Sequence, residues 1–166
     1  DYRYQRKMAI EIERKFTLKN HDWEQQVEKS HKIRQGYLVS GLEPAQPSSV
    51  RVRISGDRAS LNIKSVTLGV ERHEFEYTIA LDDAEYMLAH LCKPHLVEKT
   101  RHIVMHDGNR WEIDIFEGRN AGLEMAELEL PSIDASFELP AWAGDEVSDD
   151  PRYYNIYLVE HPYNSW

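Results

Sequence analysis

The chain has 166 residues, a formal net charge of -9, a single cysteine and a mean hydropathy of -0.64. A surface with this excess of negative charge repels nucleic-acid backbones and anionic membranes, so an anionic substrate would need a local basic site. Cys92 has no partner for an internal disulfide, and no apolar run reaches the ~18 residues of a membrane helix, which predicts a cytoplasmic protein.

The first predicted element is a strand over Ile10–Leu18. Its residues alternate, with Ile10, Ile12 and Phe16 on one face and Glu11, Glu13 and Lys15 on the other. Arg14 is the one charge on the apolar face. The polar, aperiodic residues 1–7 are predicted to be a tag remnant or an extension, which leaves residues 8–166 as one domain.

Residues 21–30 are predicted to form a short amphipathic helix, because Trp23 and Val27 stand at helical spacing behind a possible cap at Asp22. A strand is predicted over residues 35–39, followed by a proline-containing loop. Two further strands, over residues 50–55 and 60–66, flank a hairpin turn at Gly56.

Residues 71–81 alternate again, which predicts a strand with Phe75 and Tyr77 on its apolar face. The clearest helix covers residues 84–93, with Asp82 and Asp83 as predicted caps. Strands then return, and they are predicted at residues 96–105, 110–116 and 123–130. Residues 132–166 are predicted to form short helices and loops that pack against the sheet.

The polar faces of these strands are almost entirely charged. In chain order they carry Glu11, Glu13, Lys15, Arg51, Arg53, Lys64, Arg72, Glu74, Glu76, Lys99, Arg101, Arg110, Glu112, Asp114, Glu127 and Glu129. One interpretation is a solvated sheet with cross-strand ion pairs worth under ~1 kcal/mol each. Seven such strands favour the other, a closed barrel with a charged interior and an apolar exterior covered by helices.

An enclosed lumen with both charge signs has two natural ligands. Carboxylate oxygens suit Mg²⁺ or Mn²⁺, and arginine and lysine suit phosphate oxygens. Unpaired charges in such a lumen would lose solvation, and metal and polyphosphate together would satisfy both sets. A triphosphate spreads its charges along a line and therefore fits a tunnel.

These residues resemble the CYTH superfamily, the triphosphate tunnel metalloenzymes, whose mark is an N-terminal E-x-E-x-K strand. Glu11-Ile-Glu-Arg-Lys15 matches that mark, and the later charged pairs follow in the family's order. The run Arg152-Tyr-Tyr-Asn155 is similar to its C-terminal signature. The resemblance covers about residues 8–155 and implies a mainly β (α+β) fold, an eight-stranded antiparallel barrel with a few flanking helices.

The resemblance also implies roles for individual residues. It implies a divalent metal held by Glu11, Glu13, Glu127 and Glu129. Catalysis is expected from Lys15, Glu76 and Lys99, and the proton of the attacking water goes to Glu76 or Glu127. The substrate site is expected to contain Arg51, Arg53, Lys64, Arg101, Glu74, Glu112 and Asp114, in which the acidic members carry a second metal or orient water.

The leading hypothesis is hydrolysis of inorganic tripolyphosphate, because the sequence contains no evident nucleoside-specific element. An adenylate cyclase, or a nucleoside or thiamine triphosphatase, is the alternative on the same fold. A polyphosphate-binding module without turnover is the third. The expected partner is a small triphosphate, without nucleic acid or membrane, and a homodimer is compatible with the sequence.

Overall fold

The computed structural model describes residues 9–166 of the chain. The expectation for residues 1–7 therefore lies outside the described residues, as does residue 8. The strands are β1 (Ile10–Leu18), β2 (Val27–Val39), β3 (Ser48–Ser55), β4 (Arg58–Ser65), β5 (Glu71–Ile79), β6 (Val97–His106), β7 (Asn109–Phe116), β8 (Glu124–Glu129) and β9 (Ala143–Glu146). Two α-helices accompany them, α1 (Leu81–His90) and α2 (Asn155–Glu160).

The strands close into an antiparallel barrel of eight. The neighbours run in the order β5-β4-β3-β2-β6-β7-β8-β1, and β1 returns to β5 through the pairs Ile10 with His73 and Ile12 with Glu71. The ninth strand, β9, lies outside this circle on the end of β1. The predicted fold class, a closed eight-stranded barrel with few helices, is confirmed.

The apolar core lies mainly on the outside of the barrel. Trp111 and Leu128 face outward with Phe16 and are covered by the segment around Trp142. On the opposite side, α1 covers β3 and β4 in a second cluster built from Val52, Ile54, Ala59, Ala84 and Leu88. Burying these outer faces leaves the alternate, charged positions of the same strands to point inward.

One end of the barrel is different, because its inward positions are apolar. Val97, Phe116 and Met125 stand two residues from Lys99, Asp114 and Glu127 on the same strand faces, and they pack against Leu158 and Val159. Helix α2 therefore closes this end of the barrel with apolar side chains. The tail, for which the sequence predicted only short helices and loops, becomes part of the interior.

The helix predicted over residues 21–30 is wrong. Residues Asp22–Gln26 form a 3-10 turn, and Val27 already belongs to β2, where it pairs with Val104 of β6. Trp23 is only 3% exposed, so its apolar position did indicate burial. A single turn of helix is nevertheless less stable than the long ladder of backbone hydrogen bonds that β2 forms with β6.

Three smaller expectations also need correction. Helix α1 begins at Leu81 behind Ala80, so Asp82 and Asp83 lie in its first turn and do not cap it. Tyr77 was expected in the core and is 43% exposed. The strand β9 was not predicted, and it approaches β1 so closely that a Cβ on Gly144 would lie 2.3 Å from the hydroxyl oxygen of Thr17.

Arg14, the charge on the apolar face of β1, is accommodated at the edge of the outer core. Its guanidinium makes two hydrogen bonds of 2.8 and 2.6 Å to Glu146 of β9 and lies 4.9 Å above the Phe137 ring.

Neither helix of the described residues 9–166 is long and apolar enough to cross a lipid bilayer.

Candidate active site

The barrel encloses a cavity of about 220 Å³ with a strongly charged lining. Thirteen of the fourteen predicted site residues line it: Glu11, Glu13, Lys15, Arg51, Arg53, Lys64, Glu74, Glu76, Lys99, Arg101, Glu112, Glu127 and Glu129. Asp114 lies directly behind this lining and is fully buried. Asn155 also lines the cavity, and the sequence analysis did not assign it to the site.

Strand β1 supplies the first wall of the cavity. The antiparallel register with β8 places Glu13 opposite Glu129 and Lys15 opposite Glu127. The Nζ atom of Lys15 lies 2.7 Å from a carboxylate oxygen of Glu13 and 2.9 Å from one of Glu127. Burial alone would lower the pKa of Lys15, but the attraction of Glu127 and Glu13 raises it. Lys15 therefore stays charged at neutral pH.

A second group of charges is organised around Asp114. Its carboxylate accepts a 2.6 Å hydrogen bond from Lys99 and two of 2.8 Å from Arg101. Arg101 also pairs with Glu112 at 2.6 Å and with Glu127 at 3.4 Å. Lys64 makes a similar but looser bridge between Glu11, at 3.1 Å, and Glu74, at 3.4 Å.

The pKa values of the Lys99–Asp114 pair both move down. Burial would raise the pKa of Asp114, but Arg101 and Lys99 hold it well below its usual value. Burial lowers the pKa of Lys99 to about 7, and Arg101 adds to this although Asp114 opposes it. Because Asp114 is shared by Lys99 and Arg101, its attraction raises the pKa of Lys99 by less than burial lowers it.

Arg51 and Arg53 of β3 contrast with these paired cations. Within residues 9–166, neither guanidinium has a carboxylate at ion-pair distance, and the buried Nε of Arg51 has no hydrogen-bond partner. The Nε of Arg53 donates to the Gln35 side chain at 2.9 Å. Burial, followed by the nearby charges of Arg51 and Arg101, lowers the pKa of Arg53 to about 10. Asp114 and Glu112 attract Arg53 from a longer distance, and Glu74 interacts with Arg51 in the same way, but no direct ion pair neutralises this wall of the cavity.

The opposite imbalance occurs around Glu129. Glu129 is an exposed residue of β8, but partial loss of its water raises its pKa, and the negative charges of four other lining residues raise it further, in the order Glu11, Glu13, Glu74 and Glu112. Burial also raises the pKa of Glu11. Closely spaced carboxylates of this kind repel one another, and a hard divalent cation, which prefers oxygen ligands, would relieve the repulsion.

The four predicted metal ligands are not gathered at one point. Glu13 and Glu129 are directly opposed, whereas Glu127 is held by Lys15 and Arg101. Across residues 9–166, no three Asp, Glu, His or Cys side chains converge closely enough to enclose a metal ion. Carboxylate oxygens suit a divalent cation. In this structure lysine and arginine side chains are the partners of several of these carboxylates.

The two candidates for accepting a proton from water occupy different environments. Glu127 is buried, and Lys15, Lys99 and Arg101 together hold its pKa well below the usual value, against the effect of burial. A carboxylate in this state is a weak base. Glu76 lines the cavity from the more exposed strand β5.

Two amides of the site, the buried Gln35 and the half-buried Asn155, were not predicted from the sequence. Gln35 of β2 is fully buried and contacts Arg53, and Asn155 contacts both Gln35 and Lys99. A polar residue at an inward strand position was the available signal for Gln35. For Asn155 the signal was its place in the run Arg152-Tyr-Tyr-Asn155, which had been noted without a role.

Comparison with known proteins agrees with this site. The CYTH domain family matches residues 9–154. An inorganic triphosphatase of Acetivibrio thermocellus is 40% identical over 159 residues, which are 96% of this chain and 99% of that protein. An inorganic triphosphatase of Nitrosomonas europaea is 36% identical over 130 residues, which are 76% of this chain and 83% of that protein.

Solved structures give the same result. The crystal structure of the inorganic triphosphatase NE1496 superimposes with a TM-score of 0.63 at 33% identity, over 90% of this chain and 93% of that one. The family match spans nearly all of the described barrel, from β1 to the end of the segment that leads into α2. The chain belongs to the CYTH domain family.

Proposed function

We propose that this chain is a divalent-metal-dependent triphosphatase that hydrolyses inorganic tripolyphosphate to pyrophosphate and phosphate. The observation that carries the proposal is the separation of uncompensated charge inside one cavity. Arg51 and Arg53 lack carboxylate partners on one wall, and Glu129 lies among mutually repelling carboxylates on another. A polyanion and a divalent cation together match this arrangement. The names of the two relatives, both inorganic triphosphatases, support the same activity.

The chain's own residues bind and orient the substrate in this proposal. Arg51 and Arg53 bind phosphate oxygens without first breaking an ion pair. Lys15, Lys64, Lys99 and Arg101 exchange part of their carboxylate contacts for phosphate oxygens as the substrate enters. Because these cations are already held in place, they stabilise charge on the transferred phosphoryl group with little reorganisation.

Glu11, Glu13 and Glu129, with Glu127 at the edge, would hold Mg²⁺ or Mn²⁺, and the ion would neutralise charge on the phosphate oxygens. Among the acidic residues of the substrate site, Glu74 holds Lys64 in position and Glu112 holds Arg101. Asp114 holds Lys99 from behind the lining. We assign the water proton to Glu76, since Glu127 is a weak base between its cations.

The lining of the cavity also favours an inorganic substrate over the alternatives. An adenylate cyclase or a nucleoside or thiamine triphosphatase needs a surface for an organic group, and such sites are mostly apolar. The residues that line this cavity are charged apart from Asn155. The paired carboxylates and cations together favour turnover over simple polyphosphate binding.

Phosphate release from tripolyphosphate, ATP and thiamine triphosphate, measured with Mg²⁺ and with Mn²⁺, tests the proposal. We expect release from tripolyphosphate to exceed release from the organic substrates and to stop when the metal is chelated. No release from tripolyphosphate under any condition would refute the hydrolase. Chromatography of the ATP reaction for cyclic AMP separates hydrolysis from cyclisation.

The homodimer and the cytoplasmic location stay predictions. Light scattering tests the first, and cell fractionation tests the second.

A further inference from the structure

Two neutral amides connect cations on β3 and β6, the two strands that flank β2. The side-chain oxygen of Asn155 accepts hydrogen bonds from Lys99 Nζ at 3.0 Å and from Gln35 Nε2 at 2.9 Å. The oxygen of Gln35 in turn accepts from Arg53 Nε at 2.9 Å. A continuous chain of hydrogen bonds therefore runs from Arg53 on β3, through Gln35 and Asn155, to Lys99 on β6.

The direction of every bond in this chain is dictated by its ends. Lysine and arginine side chains only donate, so each must meet an amide oxygen. Once the oxygens of Gln35 and Asn155 face Arg53 and Lys99, the NH₂ group of Gln35 is left to donate to Asn155. Reversing either amide would place donors against donors, so the chain has one satisfied arrangement.

The acceptors in this chain carry no charge, which matters for anion binding. Lys15 is held by two carboxylates, and its positive charge is largely cancelled before any substrate arrives. The amide of Gln35 orients Arg53 without neutralising it, and the neighbouring Arg51 has no carboxylate at ion-pair distance within residues 9–166. A carboxylate at position 155 would hold Lys99 equally well, but it would subtract one charge from the phosphate site.

Asn155 is itself held firmly by the segment that carries it. The hydroxyl of the preceding Tyr154 donates to the Ser148 carbonyl at 2.6 Å and accepts from the Gly69 amide at 3.1 Å, and Arg72 lies 5.2 Å above its ring. On the other side, α2 packs into the end of the barrel through Leu158. The tail thereby fixes one amide oxygen inside the cavity.

We propose that Asn155 is a positioning residue for phosphoryl transfer, which rests on the function proposed above. It acts on Lys99 directly and on Arg53 through Gln35, and it orients both side chains for the phosphates without adding a negative charge beside them. In this role α2 does more than close the barrel, because its first residue sets the geometry of two groups that contact the substrate.

Two substitutions at position 155 separate orientation from charge. Asn155→Ala removes the shared acceptor, and we expect kcat for tripolyphosphate to fall by about ten- to a hundredfold, because the cations are no longer fixed at the reacting phosphate. Asn155→Asp keeps the shape and the acceptor, so kcat should fall less, whereas KM should rise about tenfold because the added charge repels the substrate.

Asn120→Ala is the matched control. Asn120 is a buried asparagine that also anchors the tail, through a hydrogen bond to the Leu158 carbonyl and another from the Tyr163 amide, but it lies outside the cavity lining. If Asn155 served only to anchor the tail, the two alanine variants would behave alike. We expect Asn120→Ala to lower the unfolding midpoint and to leave kcat and KM unchanged.

The outcomes separate this inference from the function on which it rests. Wild-type kcat and KM in Asn155→Ala, or an equal loss of kcat in Asn120→Ala, would overturn the positioning role. Absence of turnover in the wild type would overturn the proposed hydrolase instead. In that event tripolyphosphate affinity, measured by titration calorimetry, decides for Asn155: weaker binding in Asn155→Asp than in Asn155→Ala supports the role of the neutral amide, and equal binding overturns it.

Discussion

Arg51 and Arg101 are both buried arginines of one cavity, yet their electrostatic situations are opposite. Arg101 is surrounded by Asp114, Glu112 and Glu127, whereas Arg51 has no carboxylate at ion-pair distance among residues 9–166. A buried charge without a partner lowers stability and persists where an external ligand requires it. We therefore expect Arg51 to serve substrate binding alone, whereas Arg101, which also binds phosphate in the proposed function, stabilises the fold as well.

This difference leads to a prediction for Arg51→Ala. No carboxylate loses a direct ion pair in this variant. Glu74 loses the more distant attraction of Arg51, while Arg53 is relieved of a nearby like charge, so the unfolding free energy should change little. KM for tripolyphosphate should rise about tenfold or more, because a charge-assisted contact is lost. Steady-state kinetics and urea unfolding measure the two effects.

Arg101→Ala provides the comparison for that prediction. Its loss leaves Asp114 and Glu127 with fewer partners in a buried setting, and the expected destabilisation is about 3–5 kcal/mol. Equal stability losses in the two variants would contradict a structural role that Arg101 has and Arg51 lacks.

The buried carboxylate Glu127 should make stability depend on pH. Its pKa in the folded protein lies well below the 4.5 of an ordinary glutamate, so on acidification the unfolded chain takes up the proton first. The stability that Glu127 contributes is therefore complete above about pH 4.5 and is lost as the pH falls toward the folded-state pKa. We expect Glu127→Gln to be less stable than wild type near neutral pH and to lose less stability on acidification.

Urea unfolding at a series of pH values measures this effect. Glu85→Gln is the matched control, since Glu85 pairs with Arg34 on the exposed surface, and its stability should follow the wild-type pH curve. If Glu127→Gln and wild type lost stability in parallel below about pH 4.5, the ion pairs of Glu127 would not stabilise the fold.

At the scale of elements, α2 is the clearest case in which a short helix has a large role. Six residues are too few to be stable as an isolated helix, so α2 depends on its contacts with the barrel end. Leu158 is 1% exposed and packs with Val97, Phe116 and Met125. The helix and the inner apolar surface are thus mutually required.

Leu158→Ala tests this dependence. Removing a fully buried leucine side chain should lower the unfolding free energy by about 2–5 kcal/mol, and the loss should be measurable by thermal or urea unfolding. Leu139→Ala, at a position 48% exposed in the same C-terminal segment, should change stability by no more than about 0.5 kcal/mol. Similar values for the two variants would mean that α2 does not stabilise the barrel.

The elements also show where sequence reasoning succeeded and where it did not. Glu11, Glu13 and Lys15 were placed correctly on one strand face, because period-two alternation is a strong local signal. The turn at Gly56 was placed correctly by the same local reasoning. Residues 21–30 were predicted to be helical, since the pairing that makes Val27 part of β2 comes from β6, more than seventy residues away.

The partners of the charged residues were beyond local patterns as well. Which carboxylate binds Lys15 depends on the register of β1 with β8, and that register is set when the barrel closes. For the same reason nothing in the run from Arg51 to Arg53 distinguished these arginines from Arg101. The amides Gln35 and Asn155 were missed because each gains its role through contacts made at long range.

At the scale of the whole molecule, seven acidic and six basic side chains line one cavity, so the site is nearly neutral while its charges are locally unbalanced. Metal alone would relieve the repulsion around Glu129 but leave Arg51 and Arg53 unpaired. Tripolyphosphate alone would do the reverse. Stability should therefore respond to the two ligands together more than to either one.

This response can be measured by thermal unfolding with Mg²⁺, with a non-hydrolysable tripolyphosphate analogue, and with both. A ligand at about a hundred times its Kd stabilises the native state by about 2.7 kcal/mol. We expect the shift with both ligands to exceed the sum of the separate shifts. A purely additive result would argue against a shared site, and Arg110→Ala, outside the cavity lining, should retain the wild-type response.

The position of β1 in the barrel also determines when the site can exist during synthesis. Its partners are β5, β8 and β9, and the contact between Lys15 and Glu127 joins residues 112 positions apart. At translation rates of about 5–20 residues per second, the Glu11-to-Lys15 strand waits on the order of ten seconds for β8 to be made. β5 has been made by then as one barrel neighbour of β1, but the edge of β1 that pairs with β8 stays open. Charged side chains on an open strand edge disfavour aggregation, so the residues that we assign to metal and phosphate would serve β1 a second time while that edge is unpaired.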